Sequence, residues 1–461
     1  MDSVKNLADG LTRNVPVYFK MGALFILILI LLIPIAMIED VVSERRSRQS
    51  DVVAEISESW GRSQTLFGPV LVVPFRVTKE VTNAQGNKIV HTAIYIAHFL
   101  PQTLKIDAET APERRYRGVY EAVVYNAAVT MSGAFGALDI SKLDDLSRLD
   151  IGEYEVLWDK AVVAMGVSDL RGTGGPLAID IAGTKIPFNP SAATELIETG
   201  INAPIGASLP RGWQEAATIP FAFALGVKGS TKISFIPAGN ETDVTLRSSW
   251  PDPSFDGAWL PAERRIGPDG FTAHWNISWF GRSFPQQWAT QNFPAMQEQI
   301  EATRFGASLI TPVDFYQKSE RSVKYAMLFV LLIFATIFIL EVVVPIRVHL
   351  VQYMLVGFAM SVFYLMLLAL AEVIGFDLAY AAAAGVAIAM ISLYLAKALR
   401  STRHGGLVAG ILAVVYGFLY TILQLEEYAL LTGTAGIVAA LAAVMYATRN
   451  ISWYDLGRKQ E

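Results

Sequence analysis

An apolar run from Phe19 to Ile38 is followed by a long mixed segment, and no comparable run recurs until Val323. From there the chain is almost continuously apolar to Ala447. About 20 apolar residues at 1.5 Å each span the ~30 Å hydrocarbon core of a bilayer. The layout therefore predicts one membrane anchor, a large water-facing domain, and a helical bundle on which that domain stands. Only 17% of the 461 residues are charged, below the ~25% of ordinary globular chains.

The net charge of −5 provides no basic surface for nucleic acid. Cysteine is absent, which excludes disulfides, thiolate metal sites and cysteine nucleophiles and suits an oxidising compartment.

Six spans are predicted: 19–38, 323–345, 351–374, 377–396, 405–425 and 428–447. Orientation follows from Lys and Arg in short loops. With residues 1–18 and the tail 448–461 in the cytoplasm, the inner pieces carry nine positive residues: Lys5, Arg13, Arg347, Lys397, Arg400, Arg403, Arg449, Arg458 and Lys459. The short outer hairpins carry only acids, namely Glu372, Asp377, Glu426 and Glu427. Arg45, Arg46 and Arg48 oppose this orientation, but they are mixed with acids and begin a long translocated segment. The first span is too long for a signal-peptide core, and Met37-Ile38-Glu39-Asp40 offers no small-residue cleavage site. It reads as an uncleaved anchor, which puts residues 39–322 in the periplasm of a Gram-negative cell.

Helical stalks are expected at both ends of that domain. Asp40 to Gln64 continues the first span outward. Thr311-Pro312-Val313-Asp314 is a helix start with a cap, an N1 proline and a first-turn acid. No breaker follows until Pro345, so one rod is expected to run from the domain into the second span. Between the stalks the pattern has period two, with Gly, Pro and Asn punctuation. Strands are predicted over 70–81, 89–99, 116–131, 154–167, 177–186, 222–227, 231–236, 243–248 and 270–280. A hairpin is expected at Asn83–Asn87, and an acidic loop or short helix at Asp139–Asp150. This describes an all-β, sandwich-like domain. Its length allows two lobes, and Phe99-Leu100-Pro101 with Thr103–Ala108 is echoed by Phe235-Ile236-Pro237 with Thr242–Leu246.

The sequence shows little chemistry. Its five histidines are His91, His98, His274, His349 and His404, and none pairs at metal-ligand spacing on a helix. His91 and His98 point to opposite faces of one strand. There is no P-loop, dinucleotide fingerprint or nucleophile elbow, and Gly229-Ser230-Thr231-Lys232 is a turn between strands. Two proline-pinned indoles, Trp250 and Trp259, are the candidate ligand-binding residues, as an aromatic platform for a sugar, lipid or peptide. Trp275 and Trp279 are expected on one strand face. Core packing is the plainer reading for these aromatics. Within the bundle, Glu341, Glu372, Asp377 and Gln424 are the polar groups, and Glu341 and Glu372 are the intramembrane candidates, since buried charge marks function by default. All four lie near span ends, which favours an interfacial role. The small-residue stripes Ala381–Gly385, Gly406-x-x-x-Gly410 and Gly433–Ala443 permit close helix contact. No cofactor is expected.

Several segments resemble the CreD family of bacterial inner-membrane proteins, associated with cell-envelope integrity. They are Leu66-Phe67-Gly68-Pro69-Val70-Leu71, Ser248-Ser249-Trp250-Pro251-Asp252-Pro253-Ser254-Phe255 and Gly270-Phe271 through Trp279-Phe280. Further on come Asp314-Phe315-Tyr316-Gln317-Lys318 through Arg321, Lys324 and Tyr325, then Gln352-Tyr353-Met354-Leu355-Val356-Gly357, Glu372-Val373-Ile374-Gly375-Phe376, and Thr448-Arg449-Asn450-Ile451-Ser452-Trp453-Tyr454. Asp139–Ala217 matches least. The resemblance implies a non-enzymatic, multi-pass inner-membrane protein tied to envelope stress, with no catalytic residues to carry over. The leading expectation is a periplasmic domain that binds an unknown ligand or protein partner. The alternative is a transporter or lipid-handling protein acting through Glu341, Glu372 and a groove in the bundle. A periplasmic enzyme is the third reading.

Overall fold

The computed structural model describes residues 15–82, 88–143, 153–174, 177–191, 194, 196–289, 293–309, 315–343, 348–425 and 428–449. Asp51–Pro312 form one compact unit and the rest of the chain a second.

In the first unit, two β-sheets share a continuous apolar core. The long strand Gln64–Thr82 organises one sheet, pairing antiparallel with Lys88–Phe99, Glu153–Val156 and Val162–Val167 and parallel with Lys232–Ile236. Phe305–Leu309 and Pro253–Gly257 extend it to an edge. The other sheet runs Glu263–Gly267, Gly270–Ser278, Glu241–Ser248, Thr103–Arg117, Tyr120–Phe135, Ile219–Ser230, Ala178–Ile181, Thr184–Pro187. The period-two pattern is plain in Ile219–Ser230, where Ile219, Phe221, Phe223, Leu225 and Val227 are buried and the residues between them exposed. Each such side chain contributes about 1.5–3 kcal/mol by leaving water.

The shared core makes this one sandwich and not two lobes. The echoed segments are instead sheet neighbours: Leu104, Ile106 and Ala108 lie in parallel register with Thr242, Val244 and Leu246. Each enters its sheet just after a proline, Pro101 or Pro237. Arg282 and Gln286 stitch these two crossings together. Arg282 donates to the carbonyls of Pro237 and Ala238 at 3.2 and 2.9 Å. Gln286 donates to those of Leu100 and Pro101 at 2.9 and 2.6 Å, and also accepts from Arg282. Burial lowers the Arg282 pKa to about 10.

Several expected strands are shorter than their apolar runs. The stretch 116–131 contains a turn at Gly118, where φ is +64°, and Arg117 pairs with Tyr120 across it. Leu177–Ile186 is a tight hairpin. Its central residues Ala182 and Gly183 both have positive φ, 51° and 81°, the conformation that follows strand twist. Tyr154–Val167 is interrupted by a 3-10 turn at Trp158–Lys160. The strand from Gly270 ends at Ser278, and Trp279 opens a 3-10 turn. Trp275 is therefore buried while Trp279 is 39% exposed. The Asn83–Asn87 hairpin tip lies outside the described residues, as does most of the acidic segment, of which Ile140–Lys142 form a 3-10 turn.

The helices, in chain order, are α1 Val15–Trp60, α2 Phe293–Glu301, α3 Phe315–Lys324, α4 Ala326–Val343, α5 Leu350–Ile374, α6 Phe376–Ala398, α7 Thr402–Gln424 and α8 Ala429–Thr448. Only α2 lies wholly within the sandwich unit. Among the described residues, five helices are long and apolar enough to cross a membrane, or six if the bent pair α3 and α4 counts as one. The single rod expected from Thr311 to Pro345 is not formed. α3 and α4 meet at Tyr325 with a 46° bend, and Thr311–Asp314 lies outside the described residues. The reason is compositional. α3 carries Lys318, Glu320, Arg321 and Lys324 around a buried face of Tyr316, Ser319, Ser322 and Val323, whereas α4 carries no charge before Glu341 near its end. An amphipathic segment and an apolar one seek different surroundings.

Candidate functional site

The two indoles proposed as a ligand platform are largely enclosed. Trp250 is 6% exposed, its backbone N–H donates to Ser248 Oγ at 3.2 Å, and the Arg114 guanidinium lies 5.3 Å from its ring. Trp259 is half-buried, edge-on to Phe305, and its carbonyl accepts from Trp275 Nε1 at 3.2 Å. The loop between them folds inward because Phe255 packs edge-on against both Phe271 and Trp275. Trp250 thus forms core and does not offer a free aromatic face.

The carboxylates Glu341, Glu372 and Asp377 are all engaged. Near the C-terminal end of α4, Glu341 is paired with Lys20 of α1. It also accepts from Tyr353 Oη of α5 at 3.1 Å and from the Val348 N–H at 3.3 Å, and Lys20 donates to the Val348 carbonyl at 2.7 Å. Glu341 and Lys20 side chains are 12% and 23% exposed. Three helices therefore meet on one ion pair. Beside it, His349 caps α5: its Nδ1 accepts from the Val351 N–H at 3.2 Å, and Gln352 Oε1 accepts from the His349 N–H at 2.9 Å. One turn on, Gly357 receives the side chain of Leu31 from α1 where any β-carbon would collide with it.

A second cluster is built around α3. Tyr316 Oη donates to Glu372 Oε1 at 3.0 Å, and Arg45 lies 3.9 Å from the same oxygen. Glu320 bridges Arg46 and Lys324 at 2.6 and 2.7 Å. Lys318 donates to Gln424 Oε1 at 2.8 Å, and Gln424 donates in turn to Asp377 Oδ1 at 2.8 Å. Asp377 also accepts from Tyr420 Oη at 3.0 Å. Arg321 reaches the carbonyls of Ile422 and Leu425 at 3.3 and 3.4 Å, where the negative end of the α7 dipole favours a cation.

The structure thus divides the polar candidates between two clusters, Glu341 in one and Glu372, Asp377 and Gln424 in the other. It adds their partners Lys20, Arg45, Tyr316, Lys318, Tyr353 and Tyr420, which the sequence reading missed. A tyrosine inside an apolar span was the available signal, because a buried phenol needs an acceptor. Between the clusters the core is aromatic: Phe363 packs against Tyr364, Tyr380 and Tyr416, and Tyr380 Oη donates to the Tyr416 carbonyl at 2.6 Å.

Among the described residues no group of three or more His, Cys, Asp or Glu side chains is placed to hold a metal ion. His98 and His91 do face opposite sides of their strand. His98 is buried, stacked on Trp288 at 5.1 Å between ring centroids, with Nε2 2.9 Å from Thr194 Oγ1.

These features define a multi-pass membrane protein with a large β-rich domain inserted after its first helix. The profile of the CreD family, described as Inner membrane protein CreD, matches residues 16–454. The chain is 34% identical to Inner membrane protein CreD of Escherichia coli strain K12 over 446 residues, 95% of this chain and 94% of that one. The chain belongs to the CreD family of inner-membrane proteins.

Proposed function

We propose that this is a non-enzymatic protein that maintains cell-envelope integrity under stress, with its β-rich domain in the periplasm and both termini in the cytoplasm. The observation that supports it best is how the bundle uses its carboxylates. Glu341, Glu372 and Asp377 each accept from a side chain on another helix. Groups used in this way hold helices together, whereas a proton or ion relay needs a carboxylate open to a path. The orientation rests on the nine positive residues in inner loops and tails. In this reading the sandwich receives a periplasmic ligand or protein partner, and the bundle anchors it.

A strain lacking the gene is expected to be more sensitive to detergents and envelope-targeting agents, and the wild-type gene restores tolerance. Indifference across such a panel refutes the role. Alkaline phosphatase inserted after Lys228 is expected to be active and the same reporter after Arg449 inactive; the reverse pattern overturns the orientation. The competing reading, transport or lipid handling through Glu341 and Glu372, requires Glu372→Gln to abolish rescue while the protein still folds. Full rescue by that variant removes it.

A further inference from the structure

The described part of the bundle leaves an apolar cavity of about 550 Å³ between α4, α7 and α8. Its walls run from Phe329 to Leu340 on α4, from Phe418 to Leu407 on α7, and from Gly436 to Ala447 on α8. Each stretch covers 12 residues, a rise of about 16 Å. That is one leaflet's share of the ~30 Å hydrocarbon core. The α7 and α8 walls run antiparallel, with Phe418 pressed against Gly436 at one end.

α8 packs only sparsely on α4 and α7. None of its apolar window Leu431–Thr448 is buried. Small side chains such as Ala440 and Ala443 normally let helices close on each other. Here they face a gap, and an empty gap forfeits dispersion contacts on every wall. Thr336, a polar residue in the lining, turns its hydroxyl to the Leu332 carbonyl at 2.8 Å, so it asks nothing of an occupant. Hydrocarbon of leaflet length fits the space.

The chemistry at one end identifies the rest of the occupant. Where α7 begins and α8 finishes, Arg403 lies one turn before Leu407 on the cavity-lining face, and Arg449 follows Ala447 by two residues. Neither arginine makes an ion pair among the described residues. His404, one turn before Val408, has a buried Nδ1 without a partner. Between Lys397 and Arg449 the only acids are Glu426 and Glu427, in the connection at the opposite ends of α7 and α8. The carboxylate beside this end, Glu341 after Leu340, is already paired with Lys20, so a phosphate there meets the two cations.

We propose that the cavity holds one anionic phospholipid, with an acyl chain between α4, α7 and α8 and its phosphate at Arg403 and Arg449. This rests on the membrane placement of the bundle and is independent of the envelope role. The test is native mass spectrometry of the full chain released from nanodiscs containing equal phosphatidylglycerol and phosphatidylethanolamine. The wild type is expected to retain one phospholipid per protomer, with phosphatidylglycerol preferred. Arg403→Gln with Arg449→Gln should keep a lipid but lower that preference by about fivefold or more, the value of one basic residue at a membrane surface. Ala443→Phe, which fills the cavity, should lose both lipids. If Ala443→Phe does not fold, the arginine pair still decides, because both side chains are exposed. Equal retention of the two lipids by the wild type overturns the proposal. So does a lipid-free dimer, or an unchanged preference in the double arginine variant.

Discussion

The most quantitative consequence of the sandwich concerns His98. Its ring is fully enclosed against Trp288. Burial disfavours the imidazolium and takes its pKa from 6.5 to about 4, against a smaller upward pull from backbone hydrogen bonds at Trp288 and Ile96. In the unfolded chain the ring returns to its ordinary value. Between pH 6.5 and about 4 the unfolded state therefore binds more protons than the folded one, and stability falls as pH falls through that window. The loss is complete below the folded value. At about 1.4 kcal/mol per pH unit, the gap from 6.5 to about 4 is worth about 3 kcal/mol. His98→Gln keeps a polar atom near Thr194 and removes the titration. The measurement is denaturant unfolding of the full chain in detergent, followed by tryptophan fluorescence at successive pH values. Carboxylates titrate in both proteins, so the difference between the two curves isolates His98. The wild type is expected to lose about 3 kcal/mol more than His98→Gln between pH 7 and pH 4. Parallel curves would refute the argument that burial alone holds this ring neutral.

Other consequences follow from individual contacts. Lys20→Met leaves Glu341 without its cation and is expected to cost about 2–4 kcal/mol, while Lys20→Met with Glu341→Met recovers most of it; a double variant no more stable than the single one contradicts the pairing. Arg282→Met strands the carbonyls of Pro237 and Ala238, a loss of about 2–4 kcal/mol in denaturant unfolding. Arg282→Lys should not restore it, because a point ammonium cannot reproduce the planar fork. Gly357→Leu drives a side chain into Leu31 and should abolish accumulation of folded protein in the membrane fraction; Leu31→Ala in the same chain is expected to restore part of it, and no restoration means that the two do not share one space.

What the sequence made legible and what it hid differ by a physical rule. Periodicity and apolar length are local, so the spans and the alternation within Ile219–Ser230 can be read from neighbouring letters. The partner of a buried polar group is not local. Lys20 and Glu341 stand 321 residues apart, and nothing in the pattern around either names the other. Small residues pose the same problem. Gly406 and Gly410 have the spacing of a helix-contact motif, yet a β-carbon on either would meet nothing within 4 Å, while the neighbouring Gly405 is the one pressed against Ala396. Spacing shows that a helix can approach closely and leaves open which of its faces does so. Trp250 illustrates the opposite error, in which a proline-pinned loop suggests exposure although its own Phe255 and the facing sheet draw it inward. The resemblance motifs can now be assigned physical work. In Gln352-Tyr353-Met354-Leu355-Val356-Gly357 the first residue caps α5, the second holds Glu341 and the last admits Leu31. In Asp314-Phe315-Tyr316-Gln317-Lys318 the tyrosine holds Glu372 and the lysine holds Gln424. These motifs therefore join helices distant in sequence. A chain that kept its apolar spans but lost these side chains should still insert into a membrane, yet it would lack the bonds that hold α1, α3, α5 and α7 in register.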